Sequence, residues 1–286
     1  MTTVTAGDEP MSKKSATGTR EWAAKNENVQ MGCPHDCRYC YARADALRYG
    51  RIKALEDWKC PVLYAERAKK RWRKRNYTIM YPSTHDITPE NIEVVLEHLG
   101  NILEPGNRVL IVSKPWLECV KAMCDRLEDY KDNILFRFTI GSVDEDAIRF
   151  WEPNAPSYRE RRDSLRHAFE KGFQTSISSE PLLDRGASTL VENLGQWVTD
   201  AHWLGPMNKM ELRVYINGVR YKQAMEDMGR WDVEAWGRWH EAKRCHDKKF
   251  VEGLYRIYKS NLKVKWKNEY KKILGLDKPK DIGLDI

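Results

Sequence analysis

Three cysteines, Cys33, Cys37 and Cys40, fall in the run Gly32-Cys-Pro-His-Asp-Cys-Arg-Tyr-Cys-Tyr41. The gaps are three residues and then two, and an aromatic, Tyr39, directly precedes the last cysteine. Thiolates spaced in this way can ligate three irons of a cubane [4Fe–4S] cluster and leave the fourth iron without a protein ligand. An iron left open is a place where a small molecule can bind and react. The same thiols could instead hold zinc, which takes four ligands, with His35, Asp36 or the distant Cys60 completing the set. No second Cys-x2-Cys or His-x3-His pair follows, which weighs against zinc. Disulfides fit less well, because the chain has seven cysteines, an odd number, over 286 residues.

Such a loop needs a scaffold, and the chain alternates β-type runs with helical patterns. Candidate strands lie at 29–32, 77–82, 108–114, 134–141, 173–178 and 201–205. Pro89 suits a helix start, and Ile92, Val95, Leu96, Leu99 and Leu103 give the following helix an apolar face. Residues 116–130 and 157–172 read the same way, with Gly172 placed to end its helix. The alternation predicts an α/β fold, a parallel sheet with right-handed crossovers. Six units are too few for a closed eight-stranded barrel and suit a partial, open one. Chemistry in such sheets sits at the carboxyl ends of the strands. That rule selects the three cysteines, then Ser83, Thr84, His85 and Asp86, then Ser113 and Lys114. It also selects Thr139, Gly141 and Ser142, then Ser178, Ser179 and Glu180, and finally Met207 and Asn208.

The expected organisation is a polar leader over 1–20, a partial barrel over 21–209 and a mainly helical extension over 210–286. In the extension, Phe250, Val251, Leu254, Ile257 and Tyr258 share a helical face, and Trp231, Trp236 and Trp239 read as packing residues. No apolar run approaches the roughly 18 residues that a membrane helix needs. The leader lacks the apolar core of a signal peptide, so a cytoplasmic location is expected, where thiols stay reduced. The net charge of +7 permits an anionic partner without demanding one. Two basic–aromatic runs concentrate it. Lys69, Lys70, Arg71, Arg73, Lys74 and Arg75 surround Trp72; Lys259, Lys263, Lys265, Lys267, Lys271 and Lys272 are interleaved with Tyr258, Trp266 and Tyr270. Basic groups neutralise phosphates and aromatics stack on bases, so both runs are candidates for nucleic-acid contact, against the alternative of a solvated helix surface.

The cysteine loop resembles that of the radical S-adenosylmethionine (radical SAM) superfamily, which reads Cys-x3-Cys-x2-Cys with an aromatic before the third cysteine. Within that superfamily the chain is most similar to the spore photoproduct lyase group and its photolyase-like relatives. The similarity rests on the cysteine loop with Tyr39 and Tyr41, on Val112-Ser-Lys114, on Phe136-Arg-Phe-Thr-Ile-Gly-Ser142, and on Phe150-Trp-Glu-Pro-Asn-Ala-Pro156 followed by Arg161. The resemblance implies a [4Fe–4S] cluster on Cys33, Cys37 and Cys40, and S-adenosyl-L-methionine (SAM) chelating the open iron. It further implies that Lys114 pairs with the SAM carboxylate, that Thr139 contacts SAM, and that Glu180 bonds its ribose or amine. Ser142 and His85 join this candidate SAM-binding set.

Two departures follow from the same resemblance. The Gly-Gly-Glu segment that most of the superfamily uses for the SAM amine is replaced by Pro82-Ser-Thr-His-Asp86. Ser83 stands where the photoproduct lyases carry a hydrogen-donating cysteine, and a serine O–H bond is too strong to replace a thiol. Tyr39 and Tyr41 are therefore the candidate catalytic hydrogen donors. The implied activity is hydrogen abstraction by a 5′-deoxyadenosyl radical, with a nucleobase in DNA or RNA as the expected substrate and a flavodoxin- or ferredoxin-like protein as the expected electron donor. A radical SAM enzyme for a small metabolite or peptide is one alternative. A non-enzymatic iron–sulfur or zinc protein that binds nucleic acid is the other.

Overall fold

The computed structural model describes residues 18–218 and 233–279. Trp231 and most of the 1–20 leader lie outside the described residues.

Seven strands form one parallel sheet: β1 (Lys25–Asn26), β4 (Ile79–Tyr81), β5 (Val109–Ser113), β6 (Ile134–Thr139), β7 (Gln174–Ser179), β8 (His202–Leu204) and β9 (Val264–Trp266). Their order in the sheet follows their order in the chain. Among the described residues no pairing joins β1 to β9, so the wall stays open, as expected for a partial barrel. Two expectations change. The 29–32 run is not the first sheet strand: β2 (Gln30–Met31) pairs antiparallel with β3 (Val62–Leu63) beside the main sheet, and β1 takes the edge next to β4. The segment is extended, but Gly32 at φ 91° turns the chain immediately afterwards. The sheet also gains a seventh strand from the C-terminal part, β9 on β8, in the register His202 to Val264 and Leu204 to Trp266.

The helices follow from their spacing. In Ile92–Leu103, Val95, Leu96, Leu99, Ile102 and Leu103 recur at three- and four-residue steps and are all buried. Each such aliphatic side chain contributes about 1.5–3 kcal/mol on burial. Pro89 sits in the turn before this helix, where Asn91 Oδ1 accepts the Thr88 N–H at 3.0 Å. Tyr158–Glu170 starts at Ser157, whose hydroxyl caps the Glu160 N–H, and Gly172 at φ 80° follows its end. The main core lies between these helices and the sheet, with the Phe136 ring in contact with those of Phe138 and Phe173.

Candidate active site

The carboxyl ends of the strands converge on a cavity of about 420 Å3. Cys33, Cys37 and Cys40 line it, together with Tyr39, Tyr41, His85, Lys114, Thr139 and Glu180. Residues distant in sequence thus meet on one surface. Of the ten candidate residues only Ser142 lies off that lining. It is fully buried, its hydroxyl donates to the Asp184 carboxylate, and its oxygen accepts the Asp144 N–H at 2.8 Å.

The cysteine loop is held by its neighbours. The Cys33 N–H donates to Trp58 O at 2.8 Å, and a Cβ on Gly32 would stand 2.8 Å from that same oxygen, so only glycine fits there. Asp36 adopts φ 55°, held by Arg43 and by Lys59 Nζ at 2.8 Å. Arg43 is buried and also donates to Cys37 O at 3.0 Å and to Asn217 Oδ1 at 2.6 Å. Cys40 caps the helix Tyr41–Arg48, its sulfur accepting the Arg43 N–H at 3.4 Å. Burial pushes all three thiols above the usual cysteine range, Cys33 to about 12. A bound cation would reverse that by stabilising the thiolates.

His35 belongs to the scaffold. Trp116 Nε1, which can only donate, lies 3.1 Å from His35 Nε2, so Nδ1 carries the proton and donates to Asp86 Oδ2 at 3.0 Å. Cys33, His35 and Asp86 stand close enough to suggest a metal site, but both His35 nitrogens are committed. Of the other candidate zinc ligands, Cys60 is exposed and does not line the cavity, and Asp36 lines it but is already paired with Arg43 and Lys59.

Asp86 is the organising carboxylate. Its Oδ1 accepts from Ser113 Oγ at 2.9 Å and from the Lys114 N–H at 2.7 Å, and its Oδ2 lies 3.5 Å from Lys114 Nζ. Burial alone would raise its pKa, but Lys114, His35 and these hydrogen bonds together hold it well below the usual carboxylate range. Lys114 is the counterpart: burial would lower it, but Asp86 first and Cys37 next keep it charged. His85 is buried, which lowers its pKa. Its Nδ1 faces Asp86 O at 3.0 Å, and Nε2 has no hydrogen-bond partner among the described residues.

The two tyrosines differ. Tyr39 is buried and donates its hydroxyl to Glu152, whose other oxygen takes Arg161. Arg161 in turn donates to Pro156 O at 2.8 Å and to Thr139 O at 3.2 Å. Tyr41 donates to Ser83 O, and the Ser83 hydroxyl oxygen accepts from Asn28 Nδ2 at 3.0 Å. Glu152 and Arg161 carry no cavity surface, yet they fix the ring that does.

At the opposite wall Glu180 Oε2 sits 3.1 Å from Lys267 Nζ, which also lies 3.2 Å from Glu21 Oε2 and 3.9 Å from the centre of the Trp22 ring. Lys267 is fully buried. This corrects the reading of the second basic–aromatic run. Tyr258, Trp266 and Tyr270 are core residues, and Lys267 is an internal ion-pair partner. Its aromatics are therefore closed to bases. The first run is exposed, but Asn107, just before β5, binds Arg75 N–H at 2.6 Å and Arg73 O at 3.1 Å. It sits at the amino ends of the strands, across the sheet from the cavity. Among the tryptophans, Trp239 is buried and Trp236 is 39% exposed.

Sequence reasoning missed Glu21, Lys267 and Arg213. Lys267 was read only as part of a basic run, and its pairing with Glu21 depended on β9 joining the sheet.

Comparison with known proteins bears on this geometry. Two solved structures of spore photoproduct lyase variants, one holding a dinucleoside spore photoproduct, share the fold at TM-score 0.50 and 15% identity, covering 90% of this chain and 79% of theirs. A third, holding AdoMet and the dinucleoside photoproduct, has TM-score 0.50 and covers 83% of this chain and 74% of that one. An uncharacterized protein of Acidianus two-tailed virus, ORF301, is 28% identical over 169 residues, which is 54% of either chain, so the match spans about half the length of that relative. The Radical SAM superfamily matches residues 28–187, more than half of the sequence, and the chain belongs to that superfamily.

Proposed function

We propose that the protein is a radical SAM enzyme that abstracts hydrogen from a nucleobase-bearing substrate. The observation that carries the reading is the placement of three cysteines and the Lys114 ammonium on one cavity at the carboxyl ends of the strands.

The superfamily uses a [4Fe–4S] cluster and SAM. The donor set fits: Cys33, Cys37 and Cys40 share the cavity, and both His35 nitrogens are engaged elsewhere. With a cluster on these thiolates and SAM beside Lys114, the pair would supply one-electron reductive cleavage of the SAM C5′–S bond, giving methionine and a hydrogen-abstracting 5′-deoxyadenosyl group. The chain's part is to position and to shield. Lys114 offers a point charge to a carboxylate, and Asp86 holds that ammonium in place. His85 lines the cavity, and its buried Nε2, without a hydrogen-bond partner among the described residues, would accept from an ammonium or hydroxyl in place of a Gly-Gly-Glu segment. Thr139 and Glu180 line the further wall. Tyr39 and Tyr41 are the hydrogen donors of this reading, each giving its O–H hydrogen atom whole to the substrate carbon radical and being left as a tyrosyl radical, with Glu152 fixing the Tyr39 hydroxyl.

The nucleobase is supported by the resemblance to the photoproduct lyases and by the dinucleoside photoproduct held in the two similar structures. A second reading, a small metabolite or peptide substrate, is favoured by the burial of the second basic–aromatic run and the remoteness of the first. Anaerobic reconstitution, reduction and quantification of 5′-deoxyadenosine separate the two. Nucleic acid that raises the yield in a salt-sensitive way supports the first, and salt-independent turnover of a free small molecule supports the second. Protein that binds iron yet never cleaves SAM would overturn both.

A further inference from the structure

Most charged groups on the cavity wall answer one another. Asp36 is met by Arg43 and Lys59, Asp86 by Lys114 and His35, and Glu180 by Lys267. Two cations are left over. Arg213 and Lys209 both line the cavity, and among the described residues neither side chain makes a hydrogen bond or an ion pair. Among the described residues the Arg213 guanidinium lies over the Tyr41 ring, 5.4 Å from its centre.

We infer that Arg213, assisted by Lys209, forms a subsite for a phosphate or phosphodiester oxyanion of the substrate. The inference rests on the function proposed above and names a chemical group of the substrate. A half-buried guanidinium without an anion is costly, and an incoming oxyanion repays that cost. The guanidinium fork accepts two oxygens at once, and a second cation suits a group whose charge is spread over several oxygens. Lys209 stands four residues before Arg213, one helical turn away, at the start of the helix Met210–Ile216. Burial pulls Arg213 below the usual guanidinium range, and Glu180, committed to Lys267, offsets this only in part. Lys114, on a different strand and beside Asp86, remains for the SAM carboxylate.

Equilibrium binding to the anaerobically reconstituted protein tests this. The probes are a dinucleoside monophosphate, its uncharged methylphosphonate analogue, inorganic phosphate and glutarate. The phosphodiester should bind at least about tenfold more tightly than the methylphosphonate. Arg213→Gln should erase that difference while leaving SAM affinity within about twofold, and Arg213→Lys should restore part of it. Lys209→Gln should weaken the phosphodiester by about two- to threefold. Inorganic phosphate competing with the dinucleotide would locate the affinity in the oxyanion itself. Equal affinity of wild-type protein for the two dinucleosides would overturn the inference, and that comparison needs no variant to fold. A parallel loss of SAM affinity in Arg213→Gln would assign Arg213 to the SAM carboxylate, and an Arg213-dependent preference for glutarate would assign the subsite to carboxylates; either overturns it. Because SAM cleavage is not the readout, failure here leaves the radical SAM reading standing, and failure of SAM cleavage leaves these affinities to be judged alone.

Discussion

The Lys114 ammonium stands 3.5 Å from Asp86 Oδ2, while Asp86 Oδ1 holds the Lys114 backbone N–H at 2.7 Å. One carboxylate thus fixes both ends of the residue that the superfamily would set against SAM. Lys114→Ala should keep the cluster and weaken SAM binding about tenfold or more, since it removes one charge-assisted bond of about 1.5–3 kcal/mol. Asp86→Asn should cost about 3 kcal/mol of folding stability as well, because it breaks a buried, multiply bonded charge. Isothermal titration with SAM and denaturant melts separate the two effects. An unchanged SAM dissociation constant in Lys114→Ala would remove that lysine from the site.

The cluster prediction sorts the seven cysteines. Cys33→Ala, Cys37→Ala or Cys40→Ala should each abolish a content of about four irons and four sulfides per chain. Exposed Cys60 and buried Cys119, Cys124 and Cys245 should each be replaceable without loss of iron, because none of them lines the cavity. Anaerobic metal analysis and absorption spectra give the answer. Stoichiometric zinc with no iron would be fatal to the assignment.

The hydrogen-donor assignment separates Ser83 from the tyrosines. Ser83→Ala should retain most SAM cleavage, because a serine O–H bond is too strong to quench a carbon radical and the Ser83 oxygen serves as an acceptor for Asn28 Nδ2. Tyr39→Phe and Tyr41→Phe should lower product formed per 5′-deoxyadenosine. Tyr39→Phe should in addition cost about 1–3 kcal/mol, since it leaves a buried Glu152 oxygen without its donor. Normal product ratios in both tyrosine variants would show that neither relays hydrogen.

Glu21 and Glu180 share one ammonium, Lys267. Burial is the largest influence on Glu21 and raises its pKa from 4.5 to about 7, with Lys267 pulling the other way. A carboxyl raised on folding binds its proton more tightly in the folded state. Stability should therefore fall as pH rises from about 4.5 to 7, by on the order of 3 kcal/mol from this group. Glu21→Gln should flatten that decline. Lys267→Met should destabilise by about 3 kcal/mol at pH 8, and less at pH 5, where the carboxyls take up protons. Denaturant melts at the two pH values decide it, and equal losses at both would refute the sharing.

Much of this protein was legible in the chain. The spacing of Cys33, Cys37 and Cys40 depends on local ligand geometry, and the βα alternation rests on periods of two and 3.6 residues that local sequence carries. Strand ends could be read as well, so Lys114, Thr139 and Glu180 were found as residues facing one cavity. Ser142 was not, because a position just past a strand end does not say which way a side chain turns, and this one turns to Asp184. The run around Trp266 misled for a related reason. Its lysines and aromatics resemble a nucleic-acid surface until Val264–Trp266 pairs with β8, which buries the aromatics and carries Lys267 to Glu21 and Glu180. By itself the sequence determined which cofactor-binding chemistry the thiols can support and the class of sheet that holds them. Only the tertiary structure decided which charges are spent on one another and which, like Arg213, remain to meet a ligand, because ion pairing between distant segments depends on contacts that no local pattern encodes.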